Sequence, residues 1–442
     1  MSITTAINSE NFRKNLCLKI FISALVFHLL AAAGIFYLSG KDVSTLHTPD
    51  TASYVATAAE LVKYGTFSAD GIPEIMRTPG YPLFLAIFIG LPKWELFVVA
   101  AQCFIAGLMA VVTYKLAESL GGARAGLFAA FFFTVAPLTA RYNSYILTER
   151  LSSFLTALLC FAMFKFLRKP GMTAIILAAA AIAYGAFVRP IAMYLPYCVI
   201  AFLIFWGIAK KINVLRLVAL LAVFSLISIA PIKLWEYRNF LASGYRGFSS
   251  NSAICLYFYN SARVLARLEN KPFTPVVVMP ERNGLSEGEM FNLMNEEAKG
   301  IIMDNLFVYA QIHLAGMLQT LLQPGMGSIR QEKEKSGDAS TFQRIKNRII
   351  ETPLKFIIYV SLAISLAFGY ILSLAAFVKY VKIHTFEIVF LALIAAYFTT
   401  LSGGTDAYNR FRQPFSFIIA IFAGTGINWL IAYIAEKRGQ AV

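Results

Sequence analysis

Three short polar clusters carry the side chains that can do chemistry in this sequence. The first contains Asp50 and continues to Arg77, the second contains Glu149, and the third contains Arg410 and Arg412. Carboxylates serve in proton transfer, and a guanidinium offers a rigid fork of donors that suits phosphate oxygens. The clusters therefore offer acid–base groups together with a means of holding an anion. Each also has a purely structural interpretation.

The structural interpretation of the acidic residues is the start of a helix. Thr48 is placed to cap a helix, with Pro49 at its first position and Asp50 favoured by the helix dipole. Thr148 and Glu149 form a second such start. The arginines of the third cluster also suit a role as anchors at a membrane interface. A carboxylate in a first helical turn still directs a free oxygen outward, so the structural and chemical roles are compatible.

The elements that position these clusters are membrane spans. Hydrophobic residues make up 58% of the 442 residues and charged residues only 14%, whereas soluble domains have about 25% charged residues. A bilayer core requires about 20 apolar residues per helical crossing. The sequence therefore predicts an all-α polytopic membrane protein with about ten transmembrane helices. The predicted spans are 18–39, 94–117, 122–139, 150–167, 172–188, 190–208, 213–231, 354–378, 384–401 and 413–434.

Basic residues in the tight turns set the predicted orientation. They are Arg13, Lys14, Lys19, Lys115, Arg124, Lys165, Arg168, Lys169, Lys210, Lys211, Arg216, Lys379, Lys382, Lys437 and Arg438. The positive-inside rule makes this side cytoplasmic, together with both termini. The three clusters then lie on the opposite side. Arg189, at the outer end of another span, is a further candidate on that side.

One membrane domain over residues 1–442, with two large external loops, is the simplest organisation. The loops cover 40–93 and 232–353 and are predicted to contain interfacial helices, including the short apolar segment Pro79–Leu91. The second loop includes a turn at Pro280–Gly284 and a basic stretch at Arg330–Arg348. The segment 305–324 is predicted to lie at the interface, and a crossing there would invert everything after it.

The charge distribution favours a site at the outer interface over a transport path. The middles of the spans carry almost no ionisable residues, whereas ion-coupled transporters place such groups near the midplane. The net charge of +15 is explained by topology and by contact with anionic lipids, so nucleic acid is not a predicted partner. The five cysteines show neither a disulfide framework nor metal-ligand spacing.

At the three clusters the sequence resembles the GT-C superfamily of membrane glycosyltransferases, and most nearly its protein mannosyltransferase and lipid A aminoarabinose transferase branch. The matching elements are Asp50–Tyr54, Gly65–Phe67 with Arg77–Pro82, Thr148–Glu149, and Asn409–Pro414. Their order and their placement in loops and spans carry the likeness over most of the chain. Residues 232–353 contribute nothing to it, so acceptor recognition stays open.

The resemblance implies a GT-C-like fold and transfer of a sugar, with inversion, from a polyprenyl-phosphate donor of the undecaprenyl type. It implies that Asp50 is the general base and that external arginines, namely Arg410, Arg412, Arg189 and Arg77, hold the donor phosphate. Glu149 is then expected to orient a sugar hydroxyl or an arginine. Further candidates for substrate contacts are the tyrosines in these clusters: Tyr54, Tyr81, Tyr142 and Tyr408.

The resemblance also bears on cofactors, partners and location. Thr51 follows Asp50 where many family members have a second acidic residue, so we predict no required metal. There is no Gly-rich nucleotide loop, and we predict no cofactor. The predicted acceptor is a glycolipid, a polysaccharide or a protein, and membrane lipids surround the spans. The predicted location is a bacterial inner membrane, with the site facing the periplasm.

Two alternative functions stay open at this point. A polyprenyl-linked sugar flippase or transporter would require ionisable residues along the middle of the bundle, where His28 is the clearest example. An O-antigen ligase or polymerase would depend on the large external loop and a catalytic histidine, for which His313 is the candidate.

Overall fold

A computed structural model describes residues 10–273, 275, 279, 284–324 and 353–438. The described part is almost entirely helical. Its α-helices are Glu10–Leu38, Thr51–Tyr64, Gly80–Ala86, Trp94–Val135, Pro137–Asn143, Glu149–Arg168, Met172–Val188, Leu195–Ala209, Val214–Ser228, Ala230–Ser243, Asn251–Ile254, Ala262–Leu268, Glu287–Asp304, Leu306–Leu322, Pro353–Tyr380, Thr385–Leu401 and Ser416–Lys437. Val43–Leu46, Pro190–Tyr194 and Asn409–Phe415 are 3-10 helices, and Cys255–Ser261 is a π-helix. Ser68–Ala69 and Ile72–Pro73 form a short antiparallel hairpin.

The predicted all-helical membrane fold is confirmed. Seven of the described helices are long and apolar enough to cross a membrane, or eight if the bent pair Glu287–Asp304 and Leu306–Leu322 forms one span. This is fewer than the predicted ten, because Met172–Val188 and Thr385–Leu401 are apolar but shorter. The remaining difference comes from Trp94–Val135, which covers two predicted spans.

The helix Trp94–Val135 reverses direction at Gly122. Gly122 has φ 83° and ψ 177°, a conformation that only glycine adopts readily. A Cβ atom on Gly126 would lie 2.8 Å from the ring of Tyr114. Residues twelve apart in one straight helix are about 18 Å apart, so the two halves must fold back on each other. The sequence places spans at 94–117 and 122–139, on either side of this turn.

The first external loop is fastened to the bundle beside Arg189. The helix Thr51–Tyr64 ends at Gly65, whose φ of 69° is left-handed. The short helix Gly80–Ala86 lies within the segment predicted to be interfacial. A Cβ atom on Gly80 would lie 2.6 Å from the backbone at 187–188, and Tyr184 donates a hydrogen bond to the Gly80 carbonyl. These contacts bring the loop to the C-terminal end of the helix Met172–Val188, next to Arg189.

The second external loop packs over the same end of the bundle. Glu287–Asp304 begins with a capping box at Ser286 and Glu289. Leu306–Leu322 follows after a bend of 100°. The latter helix covers the segment predicted to be interfacial, and that placement stays a prediction. The basic stretch Arg330–Arg348 and the first part of the predicted turn, 280–283, lie outside the described residues.

Candidate active site

One network of ion pairs joins residues from all three clusters. Arg77 Nη2 donates to Asp50 Oδ1 at 3.1 Å, and Arg410 Nη1 donates to Asp50 Oδ2 at 2.6 Å. Arg410 also donates through Nε to Glu149 Oε1. The same Glu149 oxygen accepts from Arg189 Nη1 at 2.9 Å. Arg410 therefore bridges two carboxylates that are far apart in sequence.

Backbone contacts explain why Asp50 lies beside Glu149. The amide of Ile146 donates to the Leu46 carbonyl at 3.0 Å, and the Thr51 hydroxyl donates to the Ile146 carbonyl at 2.9 Å. These bonds tie the segment before the helix Thr51–Tyr64 to the segment before the helix Glu149–Arg168. The starts of the two helices are thereby held side by side.

The two acidic residues differ in their access to solvent. Asp50 immediately precedes its helix but makes no capping bond through its side chain, and the side chain is 35% exposed. Glu149 is fully buried in the first turn of its helix. Its Oε2 has no hydrogen-bond partner among the described residues. The predicted cap residue Thr148 makes no side-chain cap bond. Asp50 can therefore reach a substrate, whereas Glu149 lies behind the arginines.

The predicted tyrosines fall into two pairs. Tyr54 accepts a hydrogen bond from Arg77 Nη1 at 3.2 Å, and its ring lies 4.4 Å from that guanidinium. Tyr408 accepts from Arg410 Nη1 at 3.2 Å. Tyr81 and Tyr142 are buried behind the network, where they donate to side-chain oxygens of other residues. The first pair supports the arginines directly, and the second pair supports the surrounding packing.

Arg412 is not part of the network. Its guanidinium donates to the carbonyls of Thr320, Leu321 and Gln323. These lie at the end of the helix Leu306–Leu322, where carbonyl groups lack helical partners. The structure thus separates Arg412 from Arg410, although the sequence presents the two as a pair. Its position suits a helix cap better than a phosphate ligand.

The Arg412→Ala variant is expected to lose stability and to keep its affinity for donor. The free energy of unfolding should fall by about 2–3 kcal/mol, because buried carbonyls lose a charged donor. Equilibrium unfolding in detergent measures the first effect, and the donor KM measures the second. An unchanged stability together with a weakened donor KM would instead place Arg412 at the phosphate.

A cavity of about 430 Å³ opens beside the network. Asp50, Arg77, Arg189 and Arg410 line one part of it. Other lining residues come from the second external loop, including Ser249, Asn251, Ser252, Cys255, Tyr259 and Asn260. Sequence reasoning missed this second group. The signal that marks it is an uncharged run from Gly247 to Ala262 inside an otherwise charged loop.

A wider depression of about 770 Å³ lies elsewhere on the first loop, but two of its charged residues, Glu60 and Arg238, have partners within the protein. Glu60 accepts from Ser68 and from the amide of Gly71. Arg238 donates to the carbonyls of Glu74 and Phe67. Neither residue is left free for a ligand, so the smaller cavity is the stronger candidate.

The ion pairs determine the protonation of the partly exposed Asp50 carboxylate. Burial acts to raise the pKa of Asp50, but the charges and hydrogen bonds of Arg410 and Arg77 outweigh it and hold the pKa below its ordinary value. Burial acts to lower the pKa of Arg77, and Tyr54 and Asp50 more than compensate for it. Asp50 is therefore a carboxylate at neutral pH, paired with two cations.

The remaining predicted features concern a metal and a histidine. No group of three His, Cys, Asp or Glu side chains in the described ranges is placed to hold a metal ion, and independence from metal stays a prediction. Both ring nitrogens of His313 are engaged, Nδ1 with the Tyr309 hydroxyl and Nε2 with the Thr400 carbonyl. The His313 side chain packs against Gly403, so it fastens the loop that leads to Arg410.

Comparison with known proteins supports the resemblance. The family model of the dolichyl-phosphate-mannose-protein mannosyltransferases matches residues 76–235. No curated protein matches the chain in sequence. The archaeal oligosaccharyltransferase AglB from Archaeoglobus fulgidus, in complex with an inhibitory peptide and a dolichol-phosphate, superimposes with a TM-score of 0.53 at 13% identity. The superposition covers 97% of this chain and 52% of AglB. The chain has a GT-C fold.

A second solved structure is similar to the chain at a lower TM-score. ArnT from Cupriavidus metallidurans, bound to undecaprenyl phosphate, matches with a TM-score of 0.39 at 13% identity, over 94% of this chain and 78% of ArnT. The chain spans about half the length of the oligosaccharyltransferase that it matches. The family match includes Arg77, Glu149 and Arg189 and ends well before Arg410. The ion-pair network thus joins residues inside and outside the matched segment.

Proposed function

We propose that this GT-C protein is an inverting glycosyltransferase. It moves a sugar from a polyprenyl-phosphate donor of the undecaprenyl type to an acceptor hydroxyl. The reaction takes place at the outer face of a bacterial inner membrane, with the site facing the periplasm and both termini in the cytoplasm. The observation that carries the proposal is the partly exposed carboxylate of Asp50, which lies between arginines at the edge of a cavity.

The charge of the network suits a donor with one phosphate. Three guanidiniums and two carboxylates leave a surplus of one positive charge. A sugar linked to a polyprenyl chain through one phosphate is a diester with one negative charge, which matches this surplus. The leaving polyprenyl phosphate gains a second charge as the sugar departs, and positive groups fixed beside it stabilise that charge. It therefore requires no acid catalyst.

Asp50 supplies the base in this scheme. The acceptor oxygen forms a bond to the anomeric carbon as the bond from that carbon to the phosphate oxygen breaks. The acceptor proton moves to a carboxylate oxygen of Asp50. A single displacement inverts the configuration. Glu149 is too deeply buried to meet the acceptor, so we assign it the role of holding Arg189 and Arg410 in position.

Donor binding should make Asp50 a stronger base. A phosphate that takes hydrogen bonds from Arg410 weakens the Arg410–Asp50 ion pair and places another anion nearby, and both changes raise the pKa of Asp50. Activity falls when Asp50 becomes protonated, so the acid limb of the pH profile reports this pKa. We expect that limb to lie at least about one pH unit higher in kcat/KM for acceptor, measured at saturating donor, than in kcat/KM for donor.

One outcome of the pH experiment would contradict the expected separation of the two acid limbs. Acid limbs at the same pH in both profiles would show that Arg410 keeps its contact with Asp50 when donor is bound. The Arg77→Lys variant provides a control, because it keeps the positive charge of residue 77 near Asp50 and leaves the Arg410 contact in place. The separation of the two limbs should survive in this variant.

The linkage between sugar and lipid tests the proposed function. Each sugar in a panel would be offered on undecaprenyl phosphate and on undecaprenyl diphosphate, with an envelope extract as acceptor. We expect the monophosphate form to have at least about a tenfold higher kcat/KM, since the diphosphate brings one negative charge more than the network can balance. Equal or better use of the diphosphate would overturn the proposed donor. No transfer from either form would favour a flippase.

A further inference from the structure

The segment of residues 249–260, here called the loop wall, is attached to both arginine-bearing parts of the cavity. The amide of Ser250 donates to the Ile75 carbonyl at 2.9 Å, and the Ser249 hydroxyl donates to the Met76 carbonyl at 2.6 Å. These carbonyls immediately precede Arg77. The amide of Thr405 donates to Asn260 Oδ1 at 3.1 Å. These hydrogen bonds therefore hold the loop wall in a fixed position in the lining of the cavity.

The hydrogen bond between Thr405 and Asn260 depends on a tightly packed turn at Gly404. Gly404 has φ 105°, and a Cβ atom there would lie 2.4 Å from Asn260 Oδ1. A Cβ atom on Gly316, in the helix Leu306–Leu322, would lie 2.3 Å from the Gly404 carbonyl oxygen. The turn before Arg410 is thus enclosed between that helix and the loop wall. Such packing fixes the loop wall relative to Arg410.

The chemistry of the loop wall differs from that of the network. Residues 247–262 contain no charged side chain. Apart from the apolar side chain of Ile254, the cavity-lining groups of the loop wall are hydroxyls, amides, a thiol and a phenol. A binding site for an anionic acceptor would be expected to provide Lys or Arg. The arginines that line the cavity are the ones that the proposed function assigns to the donor phosphate.

Most backbone amide and carbonyl groups of the loop wall are hydrogen-bonded within its own helices. Asn251–Ile254, the π-helix Cys255–Ser261 and Ala262–Leu268 follow one another without a break. π-helical turns are rare and frequently occur at functional sites. Helical backbone groups are bonded internally, so they cannot pair with an extended peptide as a sheet edge does. A ligand at this surface must bind through the side chains.

Among the side chains of the loop wall that line the cavity, Asn251 and Tyr259 retain hydrogen-bonding capacity. No hydrogen bond from the described residues reaches the Tyr259 hydroxyl. Among the described residues, the Asn251 amide nitrogen hydrogen-bonds only the Cys255 sulfur, at 3.8 Å. In contrast, Asn260 uses its oxygen for Thr405 and its nitrogen for the Cys255 carbonyl. Asn251 and Tyr259 are therefore the residues of this surface with groups to offer a ligand.

We infer that the loop wall binds an uncharged, hydroxyl-rich acceptor, that is, a neutral glycan. Asn251 and Tyr259 hydrogen-bond its hydroxyl groups and direct one of them to Asp50. This inference rests on the proposed function and adds the acceptor class to it. The cavity volume of about 430 Å³ lies within the range of small-molecule sites.

Fractionated acceptors provide the test. An envelope extract would be separated into neutral glycans, anionic glycolipids and proteins, and each fraction would be incubated with the protein and radiolabelled undecaprenyl-phosphate sugars. Label is expected in the neutral glycans. With that fraction, Asn251→Ala and Tyr259→Phe should each raise the acceptor KM about five- to tenfold, as expected for a lost hydrogen bond. The donor KM should stay within about twofold.

Tyr257→Phe is the matched control for Tyr259→Phe. Tyr257 belongs to the same π-helix but does not line the cavity. The Tyr257→Phe variant should therefore keep the wild-type acceptor KM. Label confined to anionic glycolipids or to proteins would overturn the inference and leave the transferase intact. A wild-type acceptor KM in both Asn251→Ala and Tyr259→Phe would likewise overturn the inference and leave the transferase intact. No label in any fraction would overturn both proposals.

Discussion

Asp50→Asn is expected to slow sugar transfer at least about a hundredfold, the scale of removing a general base. The amide cannot accept the acceptor proton, although it fills the same space. Single-turnover measurement with bound donor isolates this step from binding. The donor should still bind, because the variant keeps all three arginines that line the cavity.

Asp42→Asn is the control for this variant. Asp42 lies in the same external loop, where its exposed side chain accepts from Ser44 and caps the helix Val43–Leu46. Its replacement should leave the transfer rate within about twofold, because it lies outside the network. A loss of less than about tenfold for Asp50→Asn would remove Asp50 from the role of base.

Arg410→Ala is expected to reduce kcat/KM for donor by about a hundredfold to a thousandfold. Removing a preorganised donor to a developing anion has an effect of that size. Arg410→Lys should recover only a small part of the activity, since an ammonium group cannot present a planar fork to Asp50 and Glu149 together. Steady-state kinetics with varied donor measure both variants.

Arg267→Ala controls for the general loss of an external cation. Arg267 is exposed and donates to Gln311, away from the cavity lining. Its donor kcat/KM should match that of wild type. Wild-type donor kinetics in Arg410→Ala would contradict the proposed phosphate site. Thermal unfolding of each variant shows whether a loss of activity comes from a loss of structure.

The sequence predicts the helical framework because span length and hydropathy are local properties. A bilayer imposes about 20 apolar residues per crossing, and the boundaries follow from composition alone. Even the reversal at Gly122 is predicted as a gap between two spans. The helices Met172–Val188 and Thr385–Leu401 also agree with the predicted spans 172–188 and 384–401, although both are shorter than the length that a crossing usually requires.

The meeting of the three clusters is also predictable in outline. Loops at the same ends of alternating spans lie on one side of a membrane, so the predicted topology brings Asp50, Glu149 and Arg410 to one surface. The assignment of Arg410 and Arg412 is not predictable in this way. Asn409–Phe415 is a 3-10 helix, with about three residues per turn, so residues two apart point in different directions. One arginine therefore enters the network and the other caps a helix.

The loop wall could not be found from the sequence by pattern. Its contacts with Ile75, Met76 and Thr405 join segments more than a hundred residues apart. No local periodicity reports such pairings. The uncharged run 247–262 is a visible signal, but its meaning becomes apparent only when the structure places it beside Asp50.

Transfer of radiolabelled sugars tests the central claim most directly. Membranes containing wild type or Asp50→Asn would be incubated side by side with a panel of undecaprenyl-phosphate sugars and an envelope extract. We predict that wild type transfers at least one sugar to the extract and that Asp50→Asn loses at least about a hundredfold of that rate. Transfer that persists in Asp50→Asn, or a folded wild-type protein that transfers no sugar from any donor, would contradict the claim.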